Sequence, residues 1–224
     1  MTVWVGTEGH LNIIPVSLVI PGGSDAQLIL GAKQTLSAKS PADATPGLVS
    51  VNSFLYLAWV KDPTGAVRLW RSDDNGATWN EPTPTAGRTL KTGSAALAFG
   101  DGRLYLAWLT TDTTPTILIE SFLQNPGDGS LSSPRSGVVI VDGVNAVPAV
   151  KGGPAVAYGD GRLYVVWTDP TQHMHLASST DQGATFGFHR RFDPETSRGN
   201  AGPAIAFEPG APTSDLMFGW TGQG

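Results

Sequence analysis

The sequence predicts an all-β fold, a β-propeller of about four four-stranded antiparallel blades. Three observations predict it. One segment is written four times: Phe54-Leu-Tyr-Leu-Ala-Trp59, Arg103-Leu-Tyr-Leu-Ala-Trp108, Arg162-Leu-Tyr-Val-Val-Trp167 and Asp215-Leu-Met-Phe-Gly-Trp220. The closing tryptophans recur about every 50 residues, the length of one blade. A tight turn, Ser72-Asp-Asp-Asn-Gly-Ala-Thr-Trp79, returns as Ser179-Thr-Asp-Gln-Gly-Ala-Thr-Phe186 with its Ser-x-Asp-x-Gly-x-Thr-aromatic order kept.

Each blade is then read in order. A short apolar run precedes each repeated segment: Gly47-Leu-Val-Ser-Val51, Ala95-Ala-Leu-Ala-Phe99, Pro154-Ala-Val-Ala-Tyr158 and Pro203-Ala-Ile-Ala-Phe207. Gly100-Asp-Gly102 and Gly159-Asp-Gly161 join two of these pairs as hairpins. A loop follows each tryptophan, then third strands at 66–71, 116–121 and 173–178, the tight turn or its equivalent, and a fourth strand. The tight turn occurs in alternate units; Pro21-Gly-Gly-Ser-Asp25 and Pro126-Gly-Asp-Gly129 take its place in the others. The period is therefore two blades. The boundaries are a partial blade over 1–45, blades over 46–91, 92–150 and 151–200, and a partial blade over 201–224. This last piece is expected to close on the N-terminal blade or on another copy. No segment sustains a 3.6-residue apolar period, so helix is not expected.

Composition narrows the function classes. The chain is 40% hydrophobic and 15% charged, which fits a packed domain, and 28 Gly with 17 Pro fit many tight turns. A net charge of −5 argues against nonspecific binding to nucleic acid or anionic membranes. With no cysteine there are no disulfides, zinc-thiolate sites or cysteine nucleophiles. No apolar run is long enough to span a membrane as a helix. Met1-Thr-Val-Trp4 lacks the basic and apolar regions of a signal peptide.

The tight turns carry their own chemistry. Asp74 and Asp181 are placed to accept backbone N–H groups just ahead, and Gly76 and Gly183 to take positive φ. The hydroxyls of Ser72, Thr78, Ser179 and Thr185 are placed to bond across the turn, with Trp79 or Phe186 folding back beneath it. With turn and blade repeat together, the chain resembles the Asp-box (bacterial neuraminidase repeat) β-propellers. That group includes sialidases, xyloglucan-active glycosidases and non-enzymatic receptor, photosystem-assembly and lectin-like domains. The resemblance implies a structural role for both turns, on the side opposite the usual binding face, and favours an extracellular or periplasmic setting.

A sialidase-like site needs three converging arginines, a tyrosine–glutamate nucleophile pair and an acid/base aspartate. Arg103 and Arg162 read as solvated residues beside Gly-Asp-Gly turns, and Arg68 and Arg71 as the polar flanks of Trp70. Tyr56, Tyr105, Tyr158 and Tyr164 read as strand packing. No catalytic residue, metal site or cofactor is assigned; His173 and His175 read as exposed strand residues near a loop. On the face opposite the turns, the second-to-third loops bring Asp62, Asp112 and Asp169. The inter-blade loops bring Lys91, Lys151 and Asn200 in one register, with Arg88 and Arg198 nearby. These are the candidate ligand-binding residues, forming a polar rim suited to hydroxyl-rich or anionic sugars. Stacking aromatics are not evident in these loops. The leading reading is a non-enzymatic, lectin-like binding or scaffold propeller. The alternatives are a sialidase-like hydrolase or a fragment of one, and a protein-interaction module that self-associates through unpaired terminal strands.

Overall fold

The computed structural model describes residues 1–20, 26–81, 94–110, 115–138, 152–197, 202–208 and 215–222, and every regular element among them is a strand. Over the first 39 residues run β1 (Thr2–Val5), β2 (His10–Ile14), β3 (Val16–Val19), β4 (Gln27–Leu30) and β5 (Gln34–Lys39). Strands β1, β2 and β5 form an antiparallel sheet, while β3 and β4 form a separate hairpin. The second blade comprises β6 (Gly47–Val51), β7 (Phe54–Lys61) and β8 (Ala66–Ser72), with Asn80 bridged to Arg71. The third holds β9 (Ala96–Gly100), β10 (Arg103–Leu109), β11 (Ile117–Gln124) and β12 (Leu131–Val138). The fourth holds β13 (Ala155–Gly159), β14 (Arg162–Thr168), β15 (His173–Ser179) and β16 (Phe188–Thr196). A last pair, β17 (Ala204–Glu208) and β18 (Asp215–Gly219), follows.

This is a β-propeller. The first strands β6, β9, β13 and β17 pack side by side in chain order. The residues at their starts line a common cavity of about 510 Å³. The turns joining β9 to β10 and β13 to β14 hold Asp101 and Gly102 at φ 51° and 70°, and Asp160 and Gly161 at 47° and 70°. Two consecutive left-handed residues match the right-handed twist of the strands that they join.

Burial follows from two-fold alternation along the second strands. On β7, Leu57 and Trp59 face the N-terminal sheet and meet Leu11, Ile13, Leu36 and Ala38. The intervening Tyr56, Ala58 and Val60 face the third blade and meet Leu104, Leu106 and Trp108. Tyr105, Ala107 and Leu109, from the other face of β10, meet Leu163, Val165 and Trp167 of the fourth. Trp59, Trp108 and Trp167 thus each pack against the preceding blade. Trp220 is more exposed and touches Phe218, which meets Phe192 of β16.

Among the described residues β17 pairs with β18 and β1 with β2. One expectation is revised: Arg103 is not solvated but buried. Its Nε donates to Ser121 Oγ, and its Nη2 to the carbonyls of Ser121 and Ser133. The register shift between Ser121 and Leu123 and the positive φ of Ser133 fall where these acceptors meet the guanidinium. Arg162, at the equivalent place in the fourth blade, is exposed.

The hairpin of β11 and β12 reaches over the second blade. Phe122 and Leu131 enter its core, and Tyr56 Oη donates to Gly129 O at 2.7 Å. The equivalent hydroxyl of Tyr105 is buried without a hydrogen-bond partner among the described residues. Tyr56→Phe should therefore cost about 1–2 kcal/mol in urea denaturation. Tyr105→Phe should leave stability unchanged or raised, because it removes an unpaired buried hydroxyl.

Candidate ligand site

The sequence-assigned residues fall in different places. Lys91, Lys151, Asn200, Arg88, Arg198 and Asp112 lie outside the described residues. Their described sequence neighbours Ser94, Gly152 and Gly202 line the axial cavity, with Thr45, Pro46 and Gly47. Asp62 is exposed, and its backbone N–H donates to Lys39 O. Asp169 is buried. Its oxygens take the Thr171 hydroxyl, the His173 backbone N–H and His175 Nε2.

His175 departs from its expected exposure. It is buried, its ring near-parallel to those of Trp167 and His189, which also lie against each other, with its Nδ1 2.8 Å from His189 Nε2. The network fits His175 Nε2–H donating to Asp169 and Nδ1 accepting from His189. Burial pushes the His175 imidazole down in pKa, against the pull of the Asp169 carboxylate. Burial alone would push Asp169 up, yet the hydrogen bonds from His175, Thr171 and His173 outweigh it and hold the carboxyl below its ordinary value. Among the described residues, no group of three or more His, Asp or Glu is placed to hold a metal.

The two tight turns share one hydrogen-bond pattern at the end of the third strand. Ser72 Oγ accepts the Gly76 N–H at 2.8 Å and donates to Asp74 Oδ1. Asp74 in turn accepts the Thr78 N–H at 2.8 Å and the Thr78 hydroxyl at 2.6 Å. Ser179, Asp181, Gly183 and Thr185 repeat each bond within 0.1 Å. The positive φ falls on Asn75 and Gly76, and again on Gln182 and Gly183. Trp79 Nε1 donates to Gly76 O, closing its ring beneath the turn. Phe186 packs against the core between the third and fourth blades.

The sequence reading did not foresee a cleft between the N-terminal and second blades. A cavity of about 340 Å³ is lined by Ser37, Ala38, Trp59, Lys61, Arg68, Trp70 and Glu81. The register explains the convergence. Arg68 lies opposite Trp59 across β7 and β8, and Trp70 is two residues on, so all three share one face. Lys61 closes β7 at the loop end, away from the tight turn. Glu81 follows the Asn80 bridge to Arg71. Trp59 and Trp70 meet edge-on, with centroids 5.1 Å apart, and Arg68 Nη1 pairs with Glu81 Oε1 at 3.2 Å. Trp59 Nε1 is buried without a hydrogen-bond partner among the described residues. Alternation on a third strand was the available sequence signal. Reading Arg68 and Arg71 as one polar face missed that they point to opposite sides.

No family model matches the chain, and no curated protein does. Solved structures do. The fucose-specific lectin from Aleuria aurantia is similar at 12% identity and a TM-score of 0.56, over 99% of this chain and 70% of that one. The Hadza microbial sialidase Hz136 is similar at 17% and 0.52, over 96% and 52%. The Bacteroides ovatus Xyloglucan PUL GH43B is similar at 18% and 0.50, over 79% and 36%. The chain thus spans about half of the sialidase and about a third of the Bacteroides protein. At these identities the likeness is one of fold.

The turn hydrogen bonds hold the carboxyls of Asp74 and Asp181 down to about 2, chiefly through the Thr78 and Thr185 hydroxyls. A depressed folded pKa adds stability above the unfolded value. That stability should fade as pH falls from about 4 toward 2, measurable as a falling urea midpoint. Ser179→Ala, which strands the buried Gly183 N–H, should cost about 1–3 kcal/mol at pH 7 in the same assay.

Proposed function

We propose that this chain is an Asp-box-type β-propeller that binds glycans without turning them over. The observation that carries the reading is the cleft formed by Trp59, Trp70, Arg68 and Glu81. A pyranose ring has an apolar face of C–H groups and a rim of hydroxyls. An aromatic ring such as Trp70 suits the first, and a guanidinium beside a carboxylate supplies donors and acceptors for neighbouring hydroxyls. Half-buried Trp70 is held by the buried Trp59, so the platform is fixed before a ligand arrives. The cavity lies at the small end of ligand sites, roughly 300–1,000 Å³, which suits one or two sugar units.

The lectin and glycosidase neighbours support a carbohydrate ligand, and the cleft adds a reason particular to this chain. Arg68 and Glu81 neutralise each other and Lys61 adds a positive charge at the rim, so the cleft suits hydroxyl-rich sugars, neutral or anionic. Lys91, Lys151 and Asn200, with Arg88 and Arg198, are assigned by sequence register to a second contact region around the axial mouth. Both regions belong to the face away from the tight turns.

A glycan array followed by calorimetry tests this. Saturable binding is expected, weakened at least tenfold in Trp70→Ala and in Arg68→Ala, about 1.4 kcal/mol or more. Lys91→Ala with Lys151→Ala should have the smaller effect; the reverse order would move the site to the axial mouth. An empty array removes the proposal. Release of sugar from a fluorogenic glycoside, lost in Glu81→Gln, would make the protein a hydrolase.

A further inference from the structure

The hairpin of β3 and β4 presents a bare apolar face, and the repeat shows how such a face is normally covered. Ser17 pairs with Ile29 and Leu18 with Leu28 in this hairpin, as Leu123 pairs with Ser132 and Gln124 with Leu131 in the hairpin of β11 and β12. Counting outward from the residues opposite Trp4 and Trp108 makes these pairs equivalent. A register shift falls between Ser121 and Leu123, and pairing also slips by one residue between β2–β5 and β3–β4. In the third blade this face is buried against the second blade, with Gln124 and Leu131 each 7% exposed. In the N-terminal hairpin the equivalent Leu18 and Leu28 are 61% and 70% exposed, and Leu30 is 65% exposed. Val16, Leu18, Leu28 and Leu30 make that face wholly apolar, whereas the opposite face mixes Ser17 and Gln27 with Val19 and Ile29. Bare apolar surface of this kind marks a contact.

We infer that this hairpin docks on the fourth blade of a second copy of the chain, as the β11–β12 hairpin docks on the second blade. The second blade supplies the seat through Phe54, Tyr56 and Leu69, with Tyr56 Oη bonded to Gly129 O. Strand register carries this seat to Arg162, Tyr164 and Leu176 of the fourth blade. The same face ends in Phe188, opposite Ser178 and 47% exposed. An apolar hairpin face and an exposed phenylalanine on the matching seat are complementary surfaces at opposite ends of the chain. Continuity with the interface between the second and third blades sets the orientation, head to tail. β1 of the docking copy then takes the second-strand place beside β17 that the largely exposed β18 holds in the single chain. Each copy uses a different surface for its partner, so two copies form a ring with two such contacts or a longer array. The inference rests on repeat geometry and is independent of the sugar reading.

Light scattering over a concentration series is the first test. The expected mass is at least twice 23.4 kDa, and a monomer at every concentration overturns the inference. Leu18→Lys with Leu28→Lys, both solvent-exposed sites, should give a folded monomer with an unchanged circular dichroism spectrum. An assembly that persists in this variant also overturns the inference. The absence of native cysteine allows a direct check of orientation. Gln27→Cys protein mixed with Arg162→Cys protein should form a crosslinked pair between the two variants. Crosslinks confined to Gln27→Cys with itself would show hairpin meeting hairpin, which overturns the head-to-tail contact.

Discussion

The three central blades depend on second strands that are buried on both faces. A strand between two neighbours must be apolar at every position, not at alternate ones. Hence β10 reads Arg-Leu-Tyr-Leu-Ala-Trp-Leu without a break, and each of its residues is buried, including the arginine. One face belongs to the blade before and the other to the blade after. Cohesion is therefore passed along the chain from blade to blade, and the buried clusters among the described residues each lie between two blades. A blade is stable in proportion to how well both of its neighbours cover it, as in other repeat architectures.

The same alternation builds the candidate site. A side chain on the third strand opposite the second-strand tryptophan inevitably points into the seam with the preceding blade. In the seam between the N-terminal and second blades, Met1 fills the end beside Gly76, and the cavity lies toward Lys61. Whatever stands opposite Trp59 and Trp167 therefore decides what the seam holds. In the second blade Arg68 stands there, with Trp70 and Glu81 beside it, and a cavity results. In the fourth blade His175 stands there, stacked on Trp167 and His189 and tied to the buried Asp169. One scaffold position serves two chemistries, because the frame fixes where the group points and leaves its identity free.

This explains what could be read from the chain and what could not. The repeated Leu-Tyr-Leu-Ala-Trp segments locate the second strands, since a run apolar at every position fits few other places. The Asp-Gly pairs locate the first hairpins, because they favour consecutive left-handed residues. The cleft was hidden because Arg68 and Trp70 of β8 meet Trp59 of β7 and Glu81 from beyond the tight turn, and are completed by Ser37 and Ala38 of another blade. Arg103 was misread for a similar reason. Its acceptors, Ser121 and Ser133, meet it through a register irregularity that no local pattern announces. His175 looked like a loop-side residue, yet its position opposite a tryptophan was already fixed by the strand pairing that the repeat implies.

The two-blade period has a physical reading. Blades with the tight turn end their third strand in a compact bend whose own side chains satisfy its backbone, while Gln34 and Arg135 of the preceding blades reach only its outer edge. Blades without it extend the hairpin and lay it over the blade before, as Gly129 O does over Tyr56. The first design closes itself and the second is a clasp, so a pair of blades carries one of each. Where the clasp is closed, its inner face bears Phe122, Gln124 and Leu131, one polar group among apolar ones, and Gln124 meets Asn52. At the clasp of β3 and β4 that glutamine position is Leu18, and the residue at the second blade's Asn52 position is Asp160 on the fourth. The exchange removes a polar partner from one side of the contact and leaves its counterpart to solvent. A hairpin meant to remain in water would gain by the opposite exchange. The substitution makes sense for a surface that is covered by apolar groups such as Phe188 when the molecule is assembled.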